Sequence, residues 1–424
     1  MPKHKYTKQV FPNGLTLLTV PVENSPSVTM SVFFKVGSRY ESKKINGISH
    51  FLEHLHFKGS KNYPSAKKLS EAVDSIGGEF NANTGKEHTQ YYIRAASNHL
   101  PLVFNVLTDM MQNPLFNELE IEREKGVIIE EINMYKDTPQ IHVESLFEQK
   151  LWPNTSLGRD IAGTAEVIRT ITRKDIINYK KNFYQPANTI IAVGGKFNQA
   201  ELLSLLKKFW LNLPKKSFGS FEPVKVLQTA PRLSIENRKT EQAHMIVGFP
   251  GFSIKDKQNP ILKVLSVILG GGMSSRLFLR IRERNGLAYY IHTSVSQYLD
   301  TGVFAIQTGL KIDSAPKALE MILEELEKIK KLGVTKQELN KAKEYIKGKT
   351  ALSMEDSHEQ LDWHLGQEAF LPKIKSVEQF NKEIDLVTLE QVQRVAKKII
   401  QKNRLNVALI GPFQNKEIFE KLLF

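Results

Sequence analysis

TRKDIINYKKNFYQPANTIIAVGG (172–195) decides the fold, because TLEQVQRVAKKIIQKNRLNVALIG (388–411) repeats its plan. Each opens on a threonine suited to cap a helix; Thr172 has Asp175 three residues on, the pairing that caps a helix start. Each continues as an amphipathic helix and closes in a β-branched strand and a glycine. Thr172 and Thr388 lie 216 residues apart, and so do Gly195 and Gly411. Thr335 with Glu338 opens a long helix as Asn117 with Glu120 does, at an offset of 218. Similar signals in one order at a near-constant offset indicate an internal duplication, and the period is far too long for a solenoid. The expectation is an α/β (α+β) chain of two homologous domains. Residues 1–213 form the first, 214–231 a Lys-, Pro- and Ser-containing linker, and 232–424 the second.

In the first copy, residues 9–21 read as a hairpin turning at Pro12-Asn13-Gly14, and 27–37 as a second strand rich in Val and Phe. Asn46-Gly47 leads into a helix ended by Gly59-Ser60. Residues 79–95 alternate like two strands around Gly85-Lys86. A helix to about Gln112 follows, then the long acidic helix from Asn117 to about Tyr135, and another helix over 142–151.

At 424 residues the chain exceeds one ordinary core. Its 41% hydrophobic and 25% charged residues are the proportions of a water-soluble globular protein. No apolar run is long enough to span a bilayer, and the basic N-terminus has no apolar stretch behind it, so no membrane role and a cytoplasmic location are expected. There are no cysteines, so any metal must be held by His, carboxylates or water. The net charge of +14 invites a nucleic-acid reading, but the basic residues are dispersed and no nucleic-acid motif accompanies them. No nucleic-acid partner is expected.

The stretch that carries chemistry is HFLEH, His50 to His54. Four residues apart on a helix, His50 and His54 can aim two imidazoles at one point, and Glu53 can reach a water held there. This is the inverted H-x-x-E-H order of zinc peptidases, and zinc needs a third protein ligand. The acidic helix supplies a candidate. Glu124 and Glu131 are seven apart and share a face with Val127 and Ile128 between them, which suggests an inward face. Glu131 is assigned as ligand and Glu124 as an acceptor that orients a ligand histidine. An ordinary solvated helix face would show the same spacing. Carried forward, His50 and His54 fall near Lys263 and Val267, and Glu131 falls on Lys349, so the second copy lacks the ligand set. His56 lies about 120° around the helix from His50 by the 3.6-residue period and cannot join the site. His88 reads as structural or substrate-facing. Gly270-Gly271-Gly272 reads as a helix end, since no phosphate-loop pattern follows it.

HFLEHLHFKGS (50–60), FNANTGKEHTQYY (80–92), EREKGVIIEE (122–131) and GGGMSSRLFLRIRERNGLAYY (270–290) resemble the pitrilysin–insulysin–mitochondrial processing peptidase family. The resemblance covers nearly the whole chain and is to a short, two-domain, bacterial-type member. It implies two domains, each a mainly antiparallel sheet packed with helices, facing each other across a chamber. It also implies one zinc per chain on His50, His54 and Glu131, with Glu53 as the base and Glu124 in support. Asn81, Ala82 and Asn83 match the strand edge on which the family lays substrate backbone. Arg282 and Tyr289 match an arginine–tyrosine pair that reaches substrate and transition state. A zinc endopeptidase acting on unfolded peptides is therefore expected, as a homodimer or as a heterodimer with a related subunit. A non-catalytic partner subunit of the same fold is the alternative, and an intact ligand set in one chain argues against it.

Overall fold

The computed structural model describes residues 6–423; of the basic N-terminal stretch, residues 1–5 lie outside the described residues. Among the described residues eleven strands form two sheets. The first contains β1 (Thr7–Val10), β2 (Thr16–Pro21), β3 (Ser27–Phe34), β4 (Glu79–Thr84), β5 (Thr89–Ala96) and β6 (Thr189–Gly195), in the order β1-β2-β6-β3-β5-β4. The second contains β7 (Arg232–Asn237), β8 (Ala243–Gly251), β9 (Ala288–Gln297), β10 (Gly302–Leu310) and β11 (Asn406–Gly411), in the order β7-β11-β8-β10-β9. With β1 set aside, the two orders match strand for strand. Each sheet has a single parallel pairing, β2 with β6 and β7 with β11, and the rest are antiparallel. The duplication read from capping signals is a duplication of sheet topology.

The caps behave as their residue types require. Thr172 with Asp175 and Thr388 with Gln391 form reciprocal capping boxes, each satisfying backbone N–H groups that the first helical turn leaves without partners. Thr335 and Glu338 close a third. The box expected at Asn117 forms on one side only. Asn117 accepts from the Leu119 N–H at 2.9 Å, while Glu120 turns to Arg123 at 2.6 Å.

Within each sheet, alternate residues face opposite sides, so adjacent residues join different cores. In the first sheet Leu17, Val32 and Ile191 pack under helices Ile48–His56, Leu100–Gln112, Arg173–Phe183 and Gln199–Phe209. Their neighbours Leu18, Phe33 and Ile190 pack on the other face against Leu361 and Leu365. In the second sheet Met245, Val247, Val407 and Leu409 face one core. Ile246, Ala408 and Ile410 face another, built with Val143, Phe147 and Leu151. β3 and β6 are therefore buried on both faces and read as nearly unbroken apolar runs.

The helices on those second faces depart from the contiguous halves expected. Helix Ser357–Phe370 comes from late in the chain and covers the first sheet. Helix Pro139–Leu151 comes from early in the chain and covers the second. The compact units are accordingly discontinuous. One comprises residues up to Asn133 with Arg159–Glu222 and Ser353–Ser376; the other comprises Met134–Gly158, Pro223–Leu352 and residues from Val377 on. Residues 214–231 carry no helix or strand. Each exchanged helix sits close on its sheet because a glycine lies beneath it. A Cβ on Gly194 would come within 2.9 Å of Leu361 Cβ, and one on Gly248 within 2.6 Å of the Phe147 ring.

Candidate metal centre

HFLEH lies on the helix Ile48–His56. Ile48, Phe51, Leu52 and Leu55 follow the helical period and are buried, each contributing roughly 1.5–3 kcal/mol relative to exposure. His50, Glu53 and His54 are thereby turned to the other side. The start of this helix is held by a residue outside it. Glu41 is fully buried; one carboxylate oxygen accepts from the Gly47 N–H at 2.7 Å and the Asn46 amide at 2.8 Å, and the other from the Ser49 N–H at 2.8 Å. Burial pushes the Glu41 pKa up against these hydrogen bonds. Ser49 also meets the Tyr179 hydroxyl at 2.8 Å. With its first turn tied to Glu41 and Tyr179, the helix is fixed in rotation.

The long acidic helix spans Glu118–Asp137. Its buried face is Ile121, Glu124, Ile128 and Ile132, with Glu131 beside it. Val127, expected on that face, is 50% exposed: the packed face centres on Ile128, about 100° round the helix from it. Glu122 and Glu130 are exposed, as expected.

The two helices bring the predicted ligands together. One ligand atom each from His50, His54 and Glu131 lies within 4.8 Å of the others. Glu131 Oε2 is 3.7 Å from His50 Nε2 and 3.5 Å from His54 Nε2, and the two imidazole rings are 4.5 Å apart at 64°. A tetrahedral zinc with bonds of about 2.0–2.1 Å has ligand–ligand edges of about 3.3–3.4 Å, so the donors fit with little movement. The opposite ring nitrogen of His54, Nδ1, is 2.8 Å from Glu124 Oε1, which leaves Nε2 for the cluster. His50 Nδ1 is buried with no hydrogen-bond partner. Burial, aided by His54, pulls the His50 pKa down to about 4, so the ring is neutral and able to ligate at pH 7. For His54 burial also acts downward, but the hydrogen bond and charge of Glu124, with Glu131 and Glu53, outweigh it and raise the pKa. Glu124 is pushed upward by burial and held lower by His54 and Lys58.

Glu53 stands beside the cluster, and Thr84 at the end of β4 donates its hydroxyl to Glu53 Oε2. Burial raises the Glu53 pKa against that hydrogen bond and the His54 charge. β4 is the outermost strand of its sheet. Asn81 and Asn83 are exposed on it and Ala82 is half-buried. The Ala82 N–H donates to Asn81 Oδ1 at 2.8 Å. Arg282 and Tyr289 belong to the second unit. The Arg282 guanidinium lies 5.7 Å from the Tyr289 ring centre, and Tyr289 is 73% exposed. His56 is buried and bonds through Nδ1 to the Leu52 carbonyl at 2.8 Å, away from the ligands. His88 stacks on Phe33 and contacts Asn83 at 3.0 Å. Gly270 ends the helix Asn259–Gly270, with Gly271 as its cap.

Sequence reading missed Glu41, Thr84 and Lys58. Lys58 carried a usable signal, being four residues after His54; its Nζ is 2.6 Å from Glu124 Oε2. Glu41 and Thr84 reach the histidine helix across loops and strands, and nothing in local spacing marks them.

A twice-used sheet order, one copy bearing an inverted histidine–glutamate motif with a distant glutamate, defines a two-domain metallopeptidase-type fold. The family described as Insulinase (Peptidase family M16) matches residues 17–165, and the Peptidase M16 inactive domain matches 170–346. A relative from Bacillus subtilis, named as an uncharacterized zinc protease, is 35% identical over 97% of this chain and 98% of its own length. Another so named, from Streptomyces coelicolor, is 32% identical over 97% of this chain and 90% of its own. The crystal structure of a protease from Helicobacter pylori superposes with a TM-score of 0.91 at 25% identity, covering 97% of this chain and all of that one (100%). The chain belongs to peptidase family M16. No helix among the described residues is long and apolar enough to cross a membrane.

Proposed function

We propose that this protein is a zinc-dependent endopeptidase that cleaves unfolded peptides, with His50, His54 and Glu131 holding one zinc ion per chain. The observation that carries the reading is the convergence of those three donors beside a half-buried carboxylate, Glu53, that is tied to the outermost strand of its sheet. Zinc at such a site supplies Lewis acidity and brings a water close to ionisation at neutral pH. Glu53 receives the proton and returns it to the leaving amine. Burial, which pushes the Glu53 pKa up, favours keeping the proton on the carboxylate between the two transfers. Thr84 occupies Oε2 and leaves Oε1 for the transfer. A peptide extends β4 along Asn81, Ala82 and Asn83, with backbone hydrogen bonds that replace the Asn81 contact to the Ala82 N–H. Such binding selects chains able to become a strand and reads side chains weakly. Glu124 holds His54 in the ligating tautomer. Arg282 serves to hold a substrate carbonyl and Tyr289 to stabilise the oxyanion; the exposure of Tyr289 supports this. The working form is a homodimer or a pair with a related subunit, and its location is cytoplasmic.

The test is digestion of a fluorogenic peptide library by the purified protein, with chelator, with zinc restored, and with Glu53→Gln. Cleavage should vanish with chelator, return with zinc, and fall by about a hundredfold or more in Glu53→Gln. Cleavage that survives Glu53→Gln would sink the mechanism. Stoichiometric zinc without any cleavage favours a non-catalytic subunit of the same fold.

A further inference from the structure

Glu124 is buried, with its side chain only 4% exposed, and it has two partners. Oε1 meets His54 Nδ1 at 2.8 Å, and Oε2 meets Lys58 Nζ at 2.6 Å. Lys58 itself is anchored, since it follows directly on the cap of the histidine helix, where its N–H donates to the Leu55 carbonyl at 3.2 Å. One short segment therefore presents His54 and Lys58 to the two oxygens of a single carboxylate on another helix. A carboxylate held at one oxygen can swing about its stem, whereas one held at both has a set plane, and that plane fixes the His54 ring. His50 has no such support on its own Nδ1.

We propose that Lys58 is a positioning residue of the metal centre. It holds Glu124, through Glu124 it aims His54, and so it strengthens zinc binding although it is a cation beside a cation site. The inference rests on the zinc reading of His50, His54 and Glu131.

The sign of the effect on zinc affinity separates a charge effect of Lys58 from a positioning one. If Lys58 acted only through its charge, removing it would tighten zinc binding, because two like charges would no longer repel. If it acts by holding Glu124, removing it weakens zinc binding. The experiment measures zinc affinity by competition with a chromogenic chelator for the full-length wild type, Lys58→Met, Lys58→Arg, Glu124→Gln and the Lys58→Met/Glu124→Gln double variant. Lys58→Met should weaken binding about tenfold or more, the scale for partners that orient a metal-bound histidine. Lys58→Arg should recover most of the loss, and the double variant should bind no more weakly than Glu124→Gln alone, since the two residues act in series. Metal-free melting temperatures of all variants separate this from general unfolding; if Lys58→Met does not fold, Lys58→Gln takes its place. Unchanged or tighter binding in Lys58→Met, or an additive loss in the double variant, overturns the inference. His50→Ala abolishing zinc binding while Lys58→Met leaves it intact sinks the inference alone. A wild type that binds no zinc sinks the site reading and the inference with it.

Discussion

The two units share a sheet order and a capping pattern, yet among the described residues only the first brings together a group of side chains that could hold a metal ion. At the 218-residue offset Glu124 corresponds to Ala342 and Glu131 to Lys349. Both Glu124 and Ala342 are buried, at 3% and 2% exposure, so the position is inward in each copy. In the second copy a methyl group fills it at no electrostatic cost. In the first a carboxylate does, and it persists because His54 and Lys58 satisfy both oxygens. The counterpart of the histidine helix, Asn259–Gly270, is almost wholly apolar on its packed side, and its Lys263 lies over the Phe380 ring. Strand order and caps thus make the scaffold, and a handful of substitutions on two helices decide whether it gathers side chains that could hold a metal.

The sharpest way to break this contrast is to write the second copy's residue into the first. Glu131→Lys should reduce bound zinc from about one ion per chain to none, measured by elemental analysis, because three protein donors are needed and a cation replaces one of them. The reverse change, Lys349→Glu, should create no zinc binding, since the helix Asn259–Gly270 that corresponds to the histidine helix carries no histidine. Zinc retained by Glu131→Lys would mean that the cluster is not the site.

A second comparison concerns the exchanged helices. Phe147→Ala should cost about 3–5 kcal/mol and Leu361→Ala about 2–5 kcal/mol in denaturant unfolding, because each leaves a cavity over a glycine that no longer has a partner. A negligible loss at either position would show that the covering helix does not stabilise its sheet. The smallest effect expected is at the duplicated caps. Thr172→Ala and Thr388→Ala should each lose about 1 kcal/mol, and by similar amounts, since both boxes are reciprocal. Unequal losses would show that the two copies have diverged in local stability as well as in chemistry.

Much of this was legible in the order of residues because it depends on short-range periodicity. Helical spacing alone puts His50 and His54 on one face, pairs Glu124 with Glu131, and removes His56 from the site. Cap and strand signals at a constant offset disclose the duplication without any contact being known. The nearly unbroken apolar runs that bury β3 and β6 on both faces are equally local.

Tertiary structure decided which partner each face meets. The apolar face of Pro139–Leu151 is plain in the sequence, but nothing in it says that the face covers the second sheet, since periodicity specifies a direction and not a neighbour. Val127 reads as inward from the Glu124–Glu131 interval, but the packed face centres on Ile128 and leaves Val127 in solvent. Glu41 clamping the start of the histidine helix, Thr84 holding Glu53, and Lys58 completing Glu124 all join residues through side chains across loops and elements. Their pairing is set by geometry that no single segment contains. The chain's own order of residues determined that a two-copy fold carries one ligand set, and folding determined what holds that set in place.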